Sequence, residues 1–441
     1  MTKIVEIIRA IKEELGKKKT VERYRVSEEH FTRSSKLGFE KTVLLGFQLM
    51  KGSLSVELYN LMSLNNLEEV TKSAYTQSRY KISSDIYLRT NDILLESVYE
   101  SEDRDMTSNP LSIKRFMGYK IDAIDGTKVT LPNTVEFRAH FGIQEGGSKE
   151  HKTETAMCLL MCRYDVLNHY IRQLEVSKLG IGELSIAKSW VKSLDSEAIT
   201  LFDRGFASMF FCFLLQKHEK PFIIRVKLGF NKVVKAFVES SQSDSIVTFE
   251  AGEKEIYGDE TMPKGTKIQV RLVKIRLPNG KLEVLMTSLF DTQLFTLDVL
   301  NKLYQLRWGI ETAYDRLKNQ LLLMCFSGLK VEAIYQDIYS TIFVHNLQQL
   351  IVNEAQQTVD ETTTHCEHEY QVNNNVATGI LKNKIMTLFL THEPEQIVQK
   401  LITLFVQNRQ PKRLNKQPPK RTKSLAKRRN LVTQANFRRA F

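Results

Sequence analysis

The sequence holds little that could staple or anchor it. Its five cysteines, at 158, 162, 212, 325 and 366, form no paired CxxC and no disulfide framework. That fits a reducing cytoplasm and argues against a structural zinc site. "HCEH" at 365–368 is the one His/Cys-rich stretch, and its polar, Thr-rich surroundings favour a plain loop. The longest apolar run, "MFFCFLL" at 209–215, is far too short to span a membrane. The first twenty residues, "MTKIVEIIRAIKEELGKKKT", are charged throughout and lack an apolar signal core. No internal repeat is evident. These absences exclude a secreted disulfide scaffold, a transmembrane bundle and a solenoid, and they set the expectation of a cytoplasmic protein.

The last absence is of one sign of charge in one place. From Arg409 to Phe441 there are twelve basic residues and no acidic ones. The formal net charge is +12, so the body before residue 409 is neutral, with fifty-one residues of each sign. A basic tail containing Pro, Gln and Asn is expected to be flexible and drawn to a polyanion. A membrane surface would serve electrostatically, but no amphipathic or lipidation signal supports it. Nucleic acid is the expected partner.

What is present is a chain long enough for two or three domains. Residues 1–108 read as helical. "FEKTVLLGFQLMKGSLSVELYNLM" has apolar residues at helical spacing, broken near Gly52-Ser53. "VTKSAYTQSRYKIS" then reads as a short basic helix carrying Gln77 and Arg79, compatible with a helix-turn-helix reader of DNA or with a surface helix of a small bundle. From about 117 the texture turns to strands. "MGYKIDAIDGTKVTLP" is a strand, a Gly turn and a second extended piece, and "TAMCLLMCRYDVLNHYIRQLEV" is two strands joined at Asp165–Asn168. "GIGELSIAKSWVKSL" and "SMFFCFLLQKH" are helices alternating with the strands "AITLFDRGFA" and "PFIIRVK". This order describes a mixed sheet covered by helices. Residues 227–290 read as a β-rich insertion with a hairpin turn at Pro278-Asn279-Gly280. The expected domains are therefore 1–108, 109–345 with its insertion, a helical region 346–408, and the tail 409–441.

The stretch "YQLRWGIETAYDRLK", 304–318, is the most informative. At about 100° per residue, Tyr304, Arg307, Glu311 and Lys318 share an arc of roughly 60°. Leu306, Ile310, Ala313 and Leu317 form the opposite, apolar stripe. An aromatic among basic groups with one carboxylate at the centre suits phosphates and a metal ion better than bare solvent. Phosphodiester chemistry on DNA commonly uses divalent ions held by several carboxylates. Two more acids stand at apparent strand ends: Asp125, after Ile121 and Ala123 and before Gly126, and Asp203, after "ITLF". Asp122 lies at the wrong strand phase, and Asp165 reads as a turn residue.

The spacing Tyr304–x2–Arg307–x3–Glu311–x6–Lys318 resembles the Y(2)R(3)E(6)K signature of DDE transposases of the bacterial insertion-sequence "IS-four" family. "IDGTKVTLP" and "LFDRGF" look like that family's first and second Asp motifs, and the likeness runs from about residue 31 to 340. The resemblance implies an RNase H-like core with a β insertion before the catalytic Glu, and cut-and-paste transposition. Asp125, Asp203 and Glu311 would bind Mg2+, with Mn2+ a possible substitute, while Tyr304, Arg307 and Lys318 would hold DNA phosphates. The partners implied are terminal inverted repeats, target DNA and a second copy of the chain in a synaptic complex, in a bacterial, nucleoid-associated setting. One departure is that neither tryptophan, Trp190 nor Trp308, lies in the insertion. Phe230, Phe237, Phe249 and Tyr257 are the aromatics left to hold a flipped base. Two other readings stay open: an RNase H-like nuclease without strand transfer, and a non-catalytic DNA-binding protein derived from a transposase.

Overall fold

The computed structural model describes residues 3–48, 50–99, 113–147, 152–277 and 280–412. Most of the basic tail, 413–441, and two of the three hairpin-turn residues, Pro278 and Asn279, lie outside them. In chain order, the helices α1 (Lys3–Gly16), α2 (Lys18–Tyr24), α3 (Phe39–Gly46), α4 (Leu54–Leu64), α5 (Lys72–Arg79) and α6 (Asp85–Tyr99) come first. Then follow β1 (Lys120–Thr130), α7 (Val135–Phe141), β2 (Ile143–Gly147), β3 (Lys152–Asp165), β4 (Ile171–Lys178), α8 (Glu183–Trp190), β5 (Ala198–Phe202), α9 (Met209–Lys217) and β6 (Phe222–Val226). The insertion supplies α10 (Lys232–Glu239), β7 (Asp244–Glu250), β8 (Glu255–Tyr257), β9 (Glu260–Met262), β10 (Lys267–Arg276) and β11 (Leu282–Thr287). The chain continues with α11 (Leu297–Gln305), α12 (Trp308–Asp315), α13 (Val331–Thr362), β12 (Tyr370–Val372), α14 (Asn374–Lys382), α15 (Ile385–Leu390), α16 (Pro394–Gln407) and β13 (Arg409–Pro411).

These elements divide into two compact units, one of Met1–Ile113, Val129–Cys158 and Asp315–Phe441, the other of Lys114–Lys128 and Leu159–Tyr314. The first is helical around α13, whose middle is buried on every side, from Ile338 and Ile342 to Leu350 and Ile351. A 32-residue helix with apolar residues all round its middle is stable only as the centre of such a bundle. α1 adds a clean amphipathic face of Ile4, Ile7, Ile8, Ile11 and Leu15. The break expected near Gly52-Ser53 is present, between α3 and α4, and α5 starts where Thr71 caps the Ala74 amide. α13 runs through the boundary expected at 345/346, and β13 pairs with β12, so the first residues of the basic segment are part of the bundle.

In the second unit a mixed sheet carries the order β3-β1-β5-β6-β11-β10-β7, with β4 beside β3. β1, β5 and β6 are parallel neighbours. Both their faces are buried: Ile124, Phe202 and Ile224 in the core under α8 and α9, Ile121, Ala123 and Leu201 on the other side. Central parallel strands need apolar side chains on both faces, and this sequence supplies them. Two expectations are corrected. β1 runs unbroken through Gly126 rather than turning there. α7 and β2 lie in a stretch for which no element was expected. The insertion opens with a helix, and β11 pairs antiparallel with β6, so its strands extend the main sheet. Of the aromatics considered for base stacking, Phe237 and Phe249 are buried in that core.

Candidate active site

Strand register brings the first two acids together. β1 and β5 pair through Ile124↔Phe202, so Asp125 and Asp203 occupy the next step on adjacent parallel strands. β5 and β6 pair through Phe202↔Ile224, which sets Arg225 beside Asp203. This is the carboxyl end of β5 and β6, with β1 running on past it, and such ends are where open α/β sheets gather their ligands. Asp122 faces the opposite side, fully buried, and bonds the Arg163 and Arg172 guanidiniums at 2.6 and 2.8 Å. Its expected exclusion from the site agrees with that placement. Asp165 likewise accepts from the Leu167 and Asn168 amides, as a turn residue does.

The third acid arrives on a helix that is not continuous. α11 ends at Gln305, and the amides of Leu306, Arg307, Gly309 and Ile310 each bond the carbonyl three residues back. This tightened turn shifts the wheel phase read from a single helix. A π-helical turn, Arg316–Gln320, then shifts it again before Lys318. Two corrections to the expected polar face follow. Tyr304 is buried and its hydroxyl donates to the Phe202 carbonyl at 3.3 Å, so it props the strand end that carries Asp203. Leu306, expected in the apolar stripe, is only half-buried. Glu311 and Trp308 are exposed. Lys318 lies in the first unit, in the π-helical turn, where burial lowers the pKa of its ammonium.

Arg307 is the centre of the arrangement. Only 3% exposed, it bonds Glu311 Oε1 through Nη2 at 2.9 Å and faces Asp125 Oδ2 from Nη1 at 3.7 Å. Its guanidinium lies 4.9 Å over the Trp308 ring. Arg225 does the same for the other aspartate, bonding Asp203 Oδ1 at 2.6 Å and Glu283 Oε1 at 2.7 Å. The Nε atoms of both arginines are buried without a partner. Two guanidiniums therefore meet the charge of four carboxylates.

The carboxyls titrate apart. Burial pushes Asp125 up to about 6, helped by the charges of Glu183 and Asp203 and opposed by the Gly126 amide and Arg307. Asp203 is also pushed up by burial, but the Arg204 amide, Arg225 and Arg307 more than offset it, and its pKa lies below the usual range. Glu183, at the start of α8, is raised by burial and by Asp203. A Cβ on residue 126 would lie 2.5 Å from Glu183 Oε1, so a larger residue there would push that side chain aside. The sequence reading missed Glu183, Arg225 and Glu283, since each meets the site only through strand pairing or helix packing.

As a donor set, three hard carboxylate oxygens suit Mg2+ or Mn2+. The local demand for positive charge is met here by arginine, and among the described residues no three acidic, His or Cys side chains are yet close enough to share one ion. A cation would have to displace guanidinium to be held.

The DNA-reading residues expected on α5 separate. Gln77 is exposed, with its amide bonded to Ser73 Oγ. Arg79 is corrected: it is 2% exposed, and its guanidinium bonds Gln336, Asp337, Ser327 and the Ala333 carbonyl. Such a side chain holds the bundle together and cannot reach a base. No described helix is long and apolar enough to cross a membrane.

The family model described as "Transposase DDE domain" matches residues 117–347. No curated protein matches. Among solved structures, the cryo-EM structure of the piggyBac transposase synaptic complex with hairpin DNA is similar, with 9% identity over 96% of this chain and 89% of that one, at a TM-score of 0.43.

Proposed function

The chain belongs to the transposase DDE domain family, and from that premise we propose that Asp125, Asp203 and Glu311 are the acids with which this DNA-acting enzyme cleaves and rejoins strands. The observation that carries the reading is Arg307, which bonds Glu311 and faces Asp125, while strand register sets Asp203 beside Asp125. The sheet order supports an RNase H-like core, and the spacing of Tyr304, Arg307, Glu311 and Lys318 supports the "IS-four" branch.

The three acids would hold Mg2+, or Mn2+ in its place. Such ions supply charge for the attacking and leaving oxygens of an in-line displacement. In the first step water attacks phosphorus at the element's end, and the bond from phosphorus to the 3′ oxygen breaks, freeing a 3′-OH. In the second, that hydroxyl attacks a phosphate of target DNA and displaces another 3′ oxygen, joining element to target. The chain's own contribution is to position. Tyr304 fixes the end of β5 through the Phe202 carbonyl, Tyr314 fixes β1 by donating to the Asp125 carbonyl at 2.6 Å, and Gly126 lets Glu183 approach. Arg307 supplies counter-charge to Asp125 and Glu311. Trp308, exposed beside it, offers a face to a base. Gln77 is retained as a DNA contact, and Lys318 as a phosphate contact. Terminal inverted repeats and target DNA are the proposed partners, and two copies of the chain the proposed synaptic unit. A nuclease that stops after the first step uses the same acids, so detection of joined products separates the two readings.

The basic tail should supply non-specific affinity. Deleting residues 413–441 removes ten basic residues, and fewer counterions are then released on binding. The slope of log affinity against log salt is expected to flatten on random duplex DNA. An unchanged slope would assign that affinity to the body.

A further inference from the structure

We infer that Glu283 is a positioning residue: it holds Arg225 as a movable counter-charge, so that Asp203 can exchange the guanidinium for a metal ion. The inference rests on the proposed role of Asp203 as a ligand. Glu283 lies on β11, two residues before Leu285, the strand partner of Arg225 on β6. Residues at that diagonal offset share one face of an antiparallel pair. One Nη of Arg225 bonds Glu283 at 2.7 Å and the other bonds Asp203 at 2.6 Å, so one guanidinium spans both acids.

Glu283 is the more enclosed of the two, with its side chain 12% exposed against 31% for Asp203. Neither Asp125 nor Glu311 bonds Arg225, and no other acceptor for it stands among the described residues. If a cation takes Asp203, a half-buried guanidinium is left needing a counter-charge. Leaving it unpaired would be costly. Glu283 removes that cost, because it already holds half of the fork and can accept the rest. Without Glu283 the full charge of Arg225 falls on Asp203, and an entering ion must break that pair with nothing to receive the arginine. Outer partners of ligands typically change metal affinity about 10–100-fold.

The test is Mn2+ binding to the full-length, DNA-free protein, read by isothermal titration and by the free-ion Mn2+ EPR signal. Glu283→Gln should weaken Mn2+ affinity about tenfold, while Glu283→Asp, which keeps the charge, should recover most of it. Arg225→Gln should tighten Mn2+ binding, because a competing charge is gone. In the Arg225→Gln background, Glu283→Gln should have no further effect. Equal weakening in both backgrounds would overturn the inference, since Glu283 would then act independently of Arg225. So would wild-type affinity in Glu283→Gln while Asp203→Asn loses binding. Should Glu283→Gln not fold, unchanged affinity in Arg225→Gln would overturn it as well. Wild-type affinity in Asp203→Asn would instead remove the metal-ligand reading on which the inference stands.

Discussion

Glu311→Gln is expected to lower metal-dependent nicking of an element-end duplex by several orders of magnitude while DNA binding stays near normal. The substitution keeps size and hydrogen-bonding groups but removes the charge that helps hold a divalent ion. Acids that act as a unit lose most of their effect when any one is removed. Folding should hardly change. Carboxylate repulsion alone would make the variant more stable without metal, but Glu311 pairs with Arg307, and that pair is lost. Because the Glu311 side chain is 43% exposed, the pair is worth at most about 1 kcal/mol. Ile310 and Ala313, which seat α12, are untouched. The metal-free melting temperature should therefore fall slightly or not at all. Wild-type nicking would remove Glu311 from the catalytic group, and a large fall in melting temperature would make it structural.

Arg79→Ala should have the largest effect on stability. The guanidinium is 2% exposed and pairs with Asp337 at 2.9 Å, within a network that includes Gln336 and Ser327. Truncation leaves Asp337 charged and buried without its main partner, a loss of about 3–5 kcal/mol. The pair also sets a pH dependence. Burial alone would raise the Asp337 pKa, but Arg79, Lys51 and Ser327 hold it below the ordinary carboxylate value. A depressed folded pKa stabilises fully above the unfolded value, about 3.9, and that stability is lost as pH falls through the folded one. Wild type should lose this increment in acid, whereas Arg79→Ala should already lack it at neutral pH. Urea unfolding followed by circular dichroism at pH 7 and pH 3 measures both. Equal stability of the two proteins at pH 7 would refute the structural role.

The contrast between these two residues shows what the sequence could carry. That Asp125 and Asp203 lie on one side of the sheet was legible because strand alternation fixes their phase locally, and Glu311 was singled out by one spacing motif. The role of Arg79 was not legible, since its partner Asp337 is 258 residues away and a basic residue on a short polar helix looks the same buried or displayed. Tyr304 is buried and Leu306 only half-buried, against expectation, because a wheel assumes about 100° per residue, and the tightened turn at Leu306–Ile310 breaks that phase. Arg225 and Glu283 emerge only from the register of β6 with β5 and β11, which no local pattern encodes. The helical character of residues 1–99 and the alternation of strands and helices from 120 to 226 were readable from periodicity. The joining of the insertion to the main sheet was not, because edge pairing depends on which strand is left open.

We propose that this enzyme joins strands as well as cutting them, using Asp125, Asp203 and Glu311. Its most direct test is to incubate the protein with Mg2+, a supercoiled plasmid, and a labelled duplex of a pre-cleaved element end with a free 3′-OH. Wild type should move the label into plasmid-sized product, and Asp203→Asn should not, while retaining DNA binding. Label that stays on the short duplex with wild type, alongside active nicking, would make this a nuclease. Equal joining by Asp203→Asn would contradict the site itself.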